Sequence, residues 1–335
     1  MKAAVWNDTG SLDVVGTSVA EPEPGWTRLA VAACGICGSD LHGFRHAGGG
    51  TVGHQPGHEV AGYVDRTTDP ALDEGRLYAL EPLISCGECR PCRAGFFNRC
   101  RARALVGAGA PGGLAEAVLV PNARLHALPR GFDRNLAALA EPLAVGVRGM
   151  RLGNVDGKSV GIIGAGTIGL LCITAAIAAG AREVFITARH PHQADLARYL
   201  GADDVFAESG QLAAAAGVEG IDVVVETVGG KADTLIEAAS IAAPGGVIVK
   251  LGVFVGNTPI PSMMFLDKEL TLAASLCYAT DVERGDFAVA TDLLAEKGAF
   301  LEPVITHRFS LGDVNKAFET ALDKSSRSIK VQVSP

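Results

Sequence analysis

The sequence lacks the features that direct a chain into a membrane or out of the cell. Residues 1–8 reach charge and polarity before any long apolar run, so they do not resemble a secretory signal. The longest apolar stretch, 162–186, contains several glycines together with Arg182 and Glu183, which argues against a membrane span. We therefore expect a cytoplasmic protein without a membrane partner, whose cysteines stay reduced.

Concentrated positive charge is also missing. The 335 residues include 29 Lys and Arg against 37 Asp and Glu, a net charge of −8, and the basic residues are scattered. This distribution argues against nucleic acid as a partner. Hydrophobic residues make up 48% and charged residues 20%, which is typical of a folded chain, and the length predicts two domains.

What the chain does have is a cysteine cluster with the spacing C-x2-C-x2-C-x7-C. Its members are Cys86, Cys89, Cys92 and Cys100. Four thiolates so close in sequence can surround one tetrahedral zinc, and glycines between them let the backbone wrap the ion. A pair of disulfides or a redox role is the alternative, which the missing export signal disfavours. An all-sulfur site is closed, so we predict a structural zinc whose lobe performs no chemistry.

The pattern of predicted strands and helices changes near residue 150. Before it, alternating apolar residues at 27–32 and 115–120 predict half-buried antiparallel strands. After it, strands and helices alternate, which predicts a parallel, doubly wound α/β sheet. The predicted strands are 159–163, 183–187, 221–225 and 246–251, and the predicted helices are 168–179, 193–200 and 232–243. A helix at 287–297 and a strand at 328–333 are expected to rejoin the first part.

A glycine-rich turn follows the first of these predicted strands. Gly164-Ala165-Gly166-Thr167-Ile168-Gly169 matches G-x-G-x-x-G and opens a predicted helix. Gly164 permits the tight turn, Gly166 lets the backbone approach a pyrophosphate, and Gly169 lets helix and strand pack closely. The turn, with Thr167 and Ile168 at its centre, therefore predicts a dinucleotide cofactor. A plain strand–helix turn is the alternative.

The end of the second predicted strand bears on which dinucleotide binds. No carboxylate stands there to hold the ribose 2′-hydroxyl of NAD, and Ala188 is followed by Arg189. A small residue leaves room for a 2′-phosphate, and a guanidinium can bind it. NADP(H) is therefore favoured over NAD(H), although glycine at 169 is a mild signal against it. Arg189 stacking on adenine or lying in solvent is the alternative.

Three separate segments offer metal ligands of mixed type. They contribute Cys37, the pair His58 and Glu59, and Glu141. One Cys, one His and one Glu can bind zinc and leave its fourth position open, as in a catalytic site. Ordinary structural roles for the histidine and glutamates, or a redox pair of Cys34 with Cys37, are the alternatives.

These segments together resemble the zinc-dependent medium-chain alcohol dehydrogenases, in the branch of polyol and threonine dehydrogenases. The motifs are C-G-I-C-G-S-D-L-H at 34–42, P-G-H-E at 56–59, the cysteine lobe, A-E-P-L-A at 140–144, the glycine turn and E-T-V-G at 226–229. The resemblance implies a GroES-like β-rich catalytic domain formed by 1–150 and 286–335, with a structural zinc lobe at about 84–102. It implies a Rossmann NAD(P)-binding domain at 151–285.

The resemblance also assigns roles at the reactive metal. It implies that Cys37, His58 and Glu141 bind the catalytic zinc and that Glu59 approaches the ion during ligand exchange. Asp40 matches the carboxylate that orients the histidine ligand.

Further roles concern the proton and the cofactor. Ser39 matches the hydroxyl residue beside the substrate oxygen, and His42 matches the histidine that relays the proton to solvent. The resemblance places nicotinamide contacts at the backbone of Val228 and Leu251, and a pyrophosphate contact at Lys330.

The function implied is reversible hydride transfer between NADP(H) and a small-molecule secondary alcohol or polyol, or its carbonyl counterpart. Two zinc ions per subunit and a homodimer or homotetramer are expected, with 270–276 and 247–253 as intersubunit sheet edges. Alternatives are a zinc-independent enone or quinone reductase, an iminium reductase, and a non-catalytic protein that binds NADP(H) and zinc.

Overall fold

The computed structural model describes residues 1–44, 46, 50–279 and 284–335. It divides into two compact units, one formed by Met1–Glu141 with Ala279–Pro335 and the other by Pro142–Tyr278. No helix in these described ranges is long and apolar enough to cross a membrane.

Strands β1 to β10 form most of the first unit. They span Lys2–Trp6, Leu12–Gly16, Trp26–Gly35, Glu59–Thr67, Leu77–Leu80, Leu83–Ile84, Ala104–Val106, Gly109–Ala110, Ala117–Pro121 and Leu125–Ala127. Helices α1 to α4 span Gly38–Leu41, Arg90–Arg93, Arg134–Ala137 and Ala140–Gly153. The predicted antiparallel strands are confirmed, because β3 pairs with β9 in antiparallel register. The sequence boundary near 150 falls inside α4, most of which belongs to the second unit.

The second unit contains a six-stranded parallel sheet. Strands β11 to β16 span Ser159–Ile163, Glu183–Thr187, Asp204–Phe206, Ile221–Glu226, Ala242–Lys250 and Thr271–Ala274. Helices α5 to α9 span Thr167–Ala178, Pro191–Tyr199, Ser209–Ala216, Thr234–Ile241 and Ser262–Asp267. The strand order is β13-β12-β11-β14-β15-β16. This order is that of a doubly wound dinucleotide fold, with its switch point between β11 and β14.

Two details of this sheet differ from the sequence predictions. β13 and α7 were not predicted, because the short D-V-F segment offers too little apolar pattern to mark a strand. β15 was expected to supply an intersubunit edge, but it pairs with β14 on one side and β16 on the other. Among the described strands, β16 forms the edge of the sheet on the far side of β15, and it lies within the 270–276 segment that was also expected to supply an edge.

The C-terminal segment completes the first unit. Helix α10, strand β17, helix α11 and strand β18 span Asp286–Leu301, Ile305–Ser310, Val314–Leu322 and Lys330–Ser334. β18 pairs with β3, which gives the main sheet the order β10-β5-β4-β3-β18-β17, with β9 also on β3. The centroid of the Phe318 ring on α11 lies 5.8 Å from that of Trp6 and 5.1 Å from that of Phe44. These contacts join the N-terminal and C-terminal parts of the chain in one core.

Candidate functional site

The four cysteines of the lobe face one another. Cys89 Sγ lies 3.4 Å from Cys92 Sγ, and Cys100 Sγ lies 3.6 Å from Cys86 Sγ. All four thiols are free, and their sulfurs lie within 4.8 Å of one another. Sulfurs around a tetrahedral zinc with bonds of about 2.3 Å stand about 3.8 Å apart. The donor set therefore fits a closed zinc site, and no disulfide joins these residues.

The backbone of the lobe favours a thiolate at Cys86. At Cys89 the Cys92 N–H lowers the pKa, but the Cys92 thiol and burial raise it to about 12. Gly87 and Gly95 adopt φ of 73° and 80°, a region that side chains rarely tolerate, and these turns bring the sulfurs together. Backbone N–H groups of Cys89 and Glu88 lower the pKa of the Cys86 thiol to about 7. Since the thiolate is the form that binds metal, the loop is shaped for an ion before one arrives.

A second group joins Cys37, His58 and Glu59. One donor atom from each lies within 4.8 Å of the others. Antiparallel pairing of β3 with β4 puts Gly35 opposite Glu59 and so brings the two segments together. Glu59 is 1% exposed, and its Oε2 has no hydrogen-bond partner in the described part of the chain. A buried, unsatisfied carboxylate oxygen beside a thiol and an imidazole fits a metal ion.

Asp40 faces the imidazole of this group. Its Oδ2 accepts the Cys37 backbone N–H at 2.9 Å, and its Oδ1 lies 3.7 Å from His58 Nδ1. Burial raises the pKa of Asp40, against the opposing attraction of His58. Burial alone lowers the pKa of His58, but the charges of Asp40, Cys37 and Glu141 raise it well above its ordinary value. The site therefore surrounds its histidine with negative charge, a setting that suits a cation.

Lys330 occupies a different place from the one expected. Its Nζ donates to Glu59 Oε1 at 2.6 Å and to the Ile36 carbonyl at 2.8 Å, and the residue is 2% exposed. Burial alone lowers the pKa of this ammonium, but Glu59 and then Cys37 raise it. The side chain is engaged within the first unit and is not free for a pyrophosphate. Strand β18 is paired on both edges, between β3 and β17, and its residues 330–333 are buried.

The other predicted residues of the first unit lie around this group. Glu141 is buried in the first turn of α4, outside the 4.8 Å group, although its charge contributes to the raised pKa of His58. Ser39 lies within α1 and His42 at its C-terminal end, and both are exposed. Because side chains three positions apart share a helix face, the hydroxyl and the imidazole lie on one side of α1.

Cys34 does not form the redox pair that the C-x-x-C spacing permits. Its thiol is fully buried and free, and its Sγ donates to the Gly35 carbonyl at 3.7 Å. Burial raises the pKa of this thiol well above its usual value. A protonated, enclosed thiol is inert, so Cys34 is a packing residue.

Two glycines in the turn of the second unit have different surroundings. A Cβ at Gly169 would collide with the Gly164 carbonyl, so this glycine serves the packing of α5 against β11. A Cβ at Gly166, the N-cap of α5, would meet nothing within 4 Å. The protein's own packing does not require glycine there. Open space above a helix N-terminus fits the pyrophosphate of a dinucleotide.

Two threonines that sequence reasoning missed hold this turn. The Gly164 N–H donates to Thr187 Oγ1 at 2.9 Å, and Thr227 Oγ1 donates to the Ile163 carbonyl at 2.8 Å. Thr187 ends β12 and Thr227 follows β14, the strands on either side of β11. The available signal was a hydroxyl residue at the carboxyl end of each flanking strand.

Ala188 and Arg189 follow β12 directly. Ala188 is buried, and its N–H donates to the Phe206 carbonyl at 2.8 Å. Arg189 is exposed, and among the described residues no carboxylate lies within ion-pair distance of it. The end of this strand thus presents a small residue and an unpaired guanidinium.

The two backbone positions expected near nicotinamide are both tied to one buried residue. Val228 is 44% exposed, and its N–H donates to Glu226 Oε1 at 2.7 Å. The Leu251 N–H donates to the Glu226 carbonyl at 2.9 Å. Sequence reasoning did not assign Glu226, although a carboxylate ending the apolar run I-D-V-V-V-E was a usable signal.

Comparisons with known proteins agree with this arrangement. Residues 23–130 match the alcohol dehydrogenase GroES-like domain, and residues 167–296 match the zinc-binding dehydrogenase family. The chain is 31% identical to the 2-dehydro-3-deoxy-L-galactonate 5-dehydrogenase of Pseudoalteromonas atlantica, covering 99% of this chain and 98% of the relative.

Solved structures give the same result. The galactitol-1-phosphate dehydrogenase of Escherichia coli superposes with a TM-score of 0.90 at 30% identity, over 100% of both chains. A structure described as a zinc-binding dehydrogenase of Sinorhizobium meliloti, bound to NADP, has a TM-score of 0.89 at 30% identity, over 100% of this chain and 99% of that one. The chain belongs to the zinc-dependent medium-chain alcohol dehydrogenases, in their polyol-dehydrogenase branch.

Proposed function

We propose that this alcohol dehydrogenase transfers a hydride between NADP(H) and a secondary alcohol or polyol, or the corresponding carbonyl compound. The observation that carries the proposal is the group of half-buried Cys37 with buried His58 and Glu59, in which Glu59 Oε2 has no described partner. Relatives named for galactitol 1-phosphate and L-idonate support a polyhydroxylated substrate.

Two zinc ions per subunit follow from the two donor groups. We infer that Cys86, Cys89, Cys92 and Cys100 hold a structural ion. We infer that Cys37 and His58, with Glu141 as the third ligand that the family resemblance implies, hold the reactive one. Glu59 has an oxygen within 4.8 Å of the Cys37 and His58 donor atoms, which supports its exchange with a ligand. When bound, zinc supplies Lewis acidity toward the substrate oxygen, and the nicotinamide supplies or accepts the hydride. The protein itself orients the donors, through Asp40 beside His58 and Lys330 on Glu59.

The proton leaves by the exposed face of α1. We infer that the Ser39 hydroxyl exchanges the proton of the substrate hydroxyl and that the His42 imidazole passes it to solvent. Both side chains are exposed on one turn of a helix, which supports a short relay.

NADP(H) is the proposed cofactor. Ala188 leaves room beside the strand end, and Arg189 has no described carboxylate to neutralise it, so its guanidinium is available for a 2′-phosphate. The NADP-bound relative of Sinorhizobium meliloti supports the same choice.

A second copy of this chain is the proposed protein partner, in a homodimer or homotetramer. The edge strand β16 lies near exposed apolar side chains of α9 and the preceding loop, among them Val253 at 57%, Met263 at 63% and Leu266 at 69% exposure. An unpaired sheet edge with apolar neighbours favours association. Light scattering should give a dimer or tetramer mass, and Leu266→Glu should shift it toward the monomer.

The deciding experiment combines metal content with turnover. We expect two zinc equivalents per chain and faster oxidation of NADPH than of NADH on a panel of ketoses and other ketones. Arg189→Ala should raise the KM for NADPH by about tenfold and leave that for NADH nearly unchanged, because only one cofactor carries the 2′-phosphate.

Other outcomes would overturn parts of the proposal. One metal per chain together with enone reduction would indicate a zinc-independent reductase, and turnover confined to imines would indicate an iminium reductase. Cofactor binding without turnover on any panel would indicate a non-catalytic protein. An unchanged NADPH-to-NADH ratio in Arg189→Ala would contradict the phosphate contact.

A further inference from the structure

Glu226 lies at the point of the parallel sheet where a ligand is expected. It is the last residue of β14 and stands opposite Ile163, the last residue of β11. The sheet order reverses between these two strands. In open parallel sheets, ligands bind beyond the carboxyl ends of the strands at such a switch point. The turns that leave β11, β14 and β15 therefore line the crevice, and Glu226 stands at their base.

The Glu226 side chain accepts hydrogen bonds from the turn that follows β14 and from the start of α8. Its Oε1 accepts the Val228 N–H at 2.7 Å, the Gly229 N–H at 2.9 Å and the Thr234 hydroxyl at 2.8 Å. The residue is fully buried. Three donors converge on one oxygen, so this carboxylate fixes the path of the turn and connects it to the start of α8.

The same residue also holds the turn that follows β15. Its backbone carbonyl accepts the Leu251 N–H at 2.9 Å and the Gly252 N–H at 3.0 Å. A Cβ at Gly252 would collide with Glu226 Oε2 and with the Gly229 N–H group. The two turns are therefore packed directly on one another, with the carboxylate between them.

We propose that Glu226 is a positioning residue for the cofactor: it fixes the backbone of the 227–229 and 251–252 turns against which the nicotinamide half of the dinucleotide lies. The inference rests on the proposed function, because it takes a nicotinamide dinucleotide as the ligand. Glu226 is buried, so its side chain does not contact the cofactor directly. It acts by fixing the backbone of the two turns.

A carboxylate suits this task better than its neutral analogues. It carries only acceptors, whereas glutamine offers one acceptor oxygen and an NH₂ group that must sit in the space of Oε2 beside Gly252. Alanine would leave the buried Gly229 N–H and Thr234 hydroxyl, and the part-buried Val228 N–H, without this acceptor, so the turn would shift to satisfy them. We therefore expect Glu226→Ala to weaken cofactor binding more than Glu226→Gln does. Thr234→Val removes a single donor and should have the smallest effect.

The test measures dissociation constants of NADPH and NADH by nucleotide fluorescence, on Glu226→Ala, Glu226→Gln, Thr234→Val and Arg189→Ala. Glu226→Ala should weaken both cofactors about tenfold and by the same factor, since the nicotinamide half is common to them. Glu226→Gln should retain most of the affinity, and Thr234→Val should weaken binding about twofold. Arg189→Ala should weaken NADPH alone. Melting temperatures recorded alongside identify variants that are merely unfolded.

The outcomes separate this inference from the proposed function. Wild-type protein that binds neither nucleotide would overturn the proposed function, and this inference with it. Wild-type binding with unchanged constants in folded Glu226→Ala would overturn the inference alone. A Glu226→Ala protein that does not fold leaves the decision to Glu226→Gln and Thr234→Val. Wild-type constants in both of these would overturn the inference, and a graded loss shared by the two cofactors would support it.

Discussion

The candidate sites of the two units consist of different groups, side chains in one unit and backbone in the other. In the first, ionisable side chains lie together: half-buried Cys37 shares one group with buried His58 and Glu59, and Lys330 neutralises Glu59. In the second, the proposed cofactor site consists of backbone, namely the glycine turn and the turns after β14 and β15. Side chains such as Thr227 and Glu226 act there by holding main-chain groups.

This contrast predicts different consequences of substitution. A buried charge that loses its partner is expensive, so a change to the buried ion pair of the first unit should lower stability strongly, and a change to a metal donor should lower turnover strongly. A backbone site is insensitive to most side chains and sensitive to any atom that occupies the ligand's space or moves the turn. Each of the following experiments bears on that difference.

The largest effect is expected from Cys37→Ser. Losing the thiolate should remove the reactive zinc and lower turnover by at least about 10³-fold, because the ion contributes several kcal/mol to the reaction and about 1.4 kcal/mol is a factor of ten. Metal analysis should show one zinc fewer, with the melting temperature nearly unchanged. Cys34→Ser, a matched change at a packing thiol, should keep both metals. Equal metal loss in the two variants would contradict the assignment.

The next effect concerns the buried ion pair. Lys330→Met leaves the Glu59 carboxylate enclosed without its cation and should lower the free energy of unfolding by about 3–5 kcal/mol in urea titrations. Arg308→Met is the matched control, because its pair with Glu302 at 2.8 Å lies on the neighbouring strand but is exposed. That change should cost less than about 1 kcal/mol. Similar losses in both variants would mean that burial does not strengthen the pair.

The cofactor turn should respond in the opposite way to the metal site. Gly166→Val places its side chain in open space, so the free energy of unfolding should hardly change, while the dissociation constant for NADPH should rise about tenfold or more. Gly169→Val should instead lower the free energy of unfolding by about 1–3 kcal/mol, because its Cβ meets the Gly164 carbonyl. A Gly166→Val protein that binds NADPH normally would show that the pyrophosphate lies elsewhere.

The smallest effect concerns Asp222 on β14. Burial alone raises its pKa, but the backbone N–H and hydroxyl of Ser159, both at 2.8 Å, lower it below its ordinary value. A lowered pKa stabilises the fold above about pH 4, and this contribution is lost as pH falls through the native pKa. Asp222→Asn should therefore cost less than about 1 kcal/mol at pH 7, since the carboxylate is partly exposed. The difference from wild type should shrink by pH 3 in urea titrations, and a constant difference would contradict it.

Local patterns support predictions where neighbouring residues carry the information. The cysteine lobe and the glycine turn each occupy fewer than about 20 consecutive residues, so spacing alone fixes which atoms meet. Most strands and helices around the parallel sheet were predicted for the same reason. The exceptions are β13, whose three residues carry little apolar pattern, and the short helices α7 and α9.

Long-range neighbours were harder to read. Lys330 was expected at a pyrophosphate because the family resemblance implies a basic residue there. The sequence of β18 does not show which way the side chain points, because nearly all residues of this strand are buried. Glu226 was passed over because the sequence does not show that its carboxylate meets the N–H groups of the following turn.

The sequence by itself determined the donors of the cysteine lobe, the dinucleotide turn and the family, since each depends on residue types at short, fixed spacing. Tertiary structure alone decided that Lys330 turns inward to neutralise Glu59 and that Glu226 supports two separate turns. Those contacts depend on strand register and burial. Both are set by pairing between residues far apart in the chain, and no local pattern encodes them.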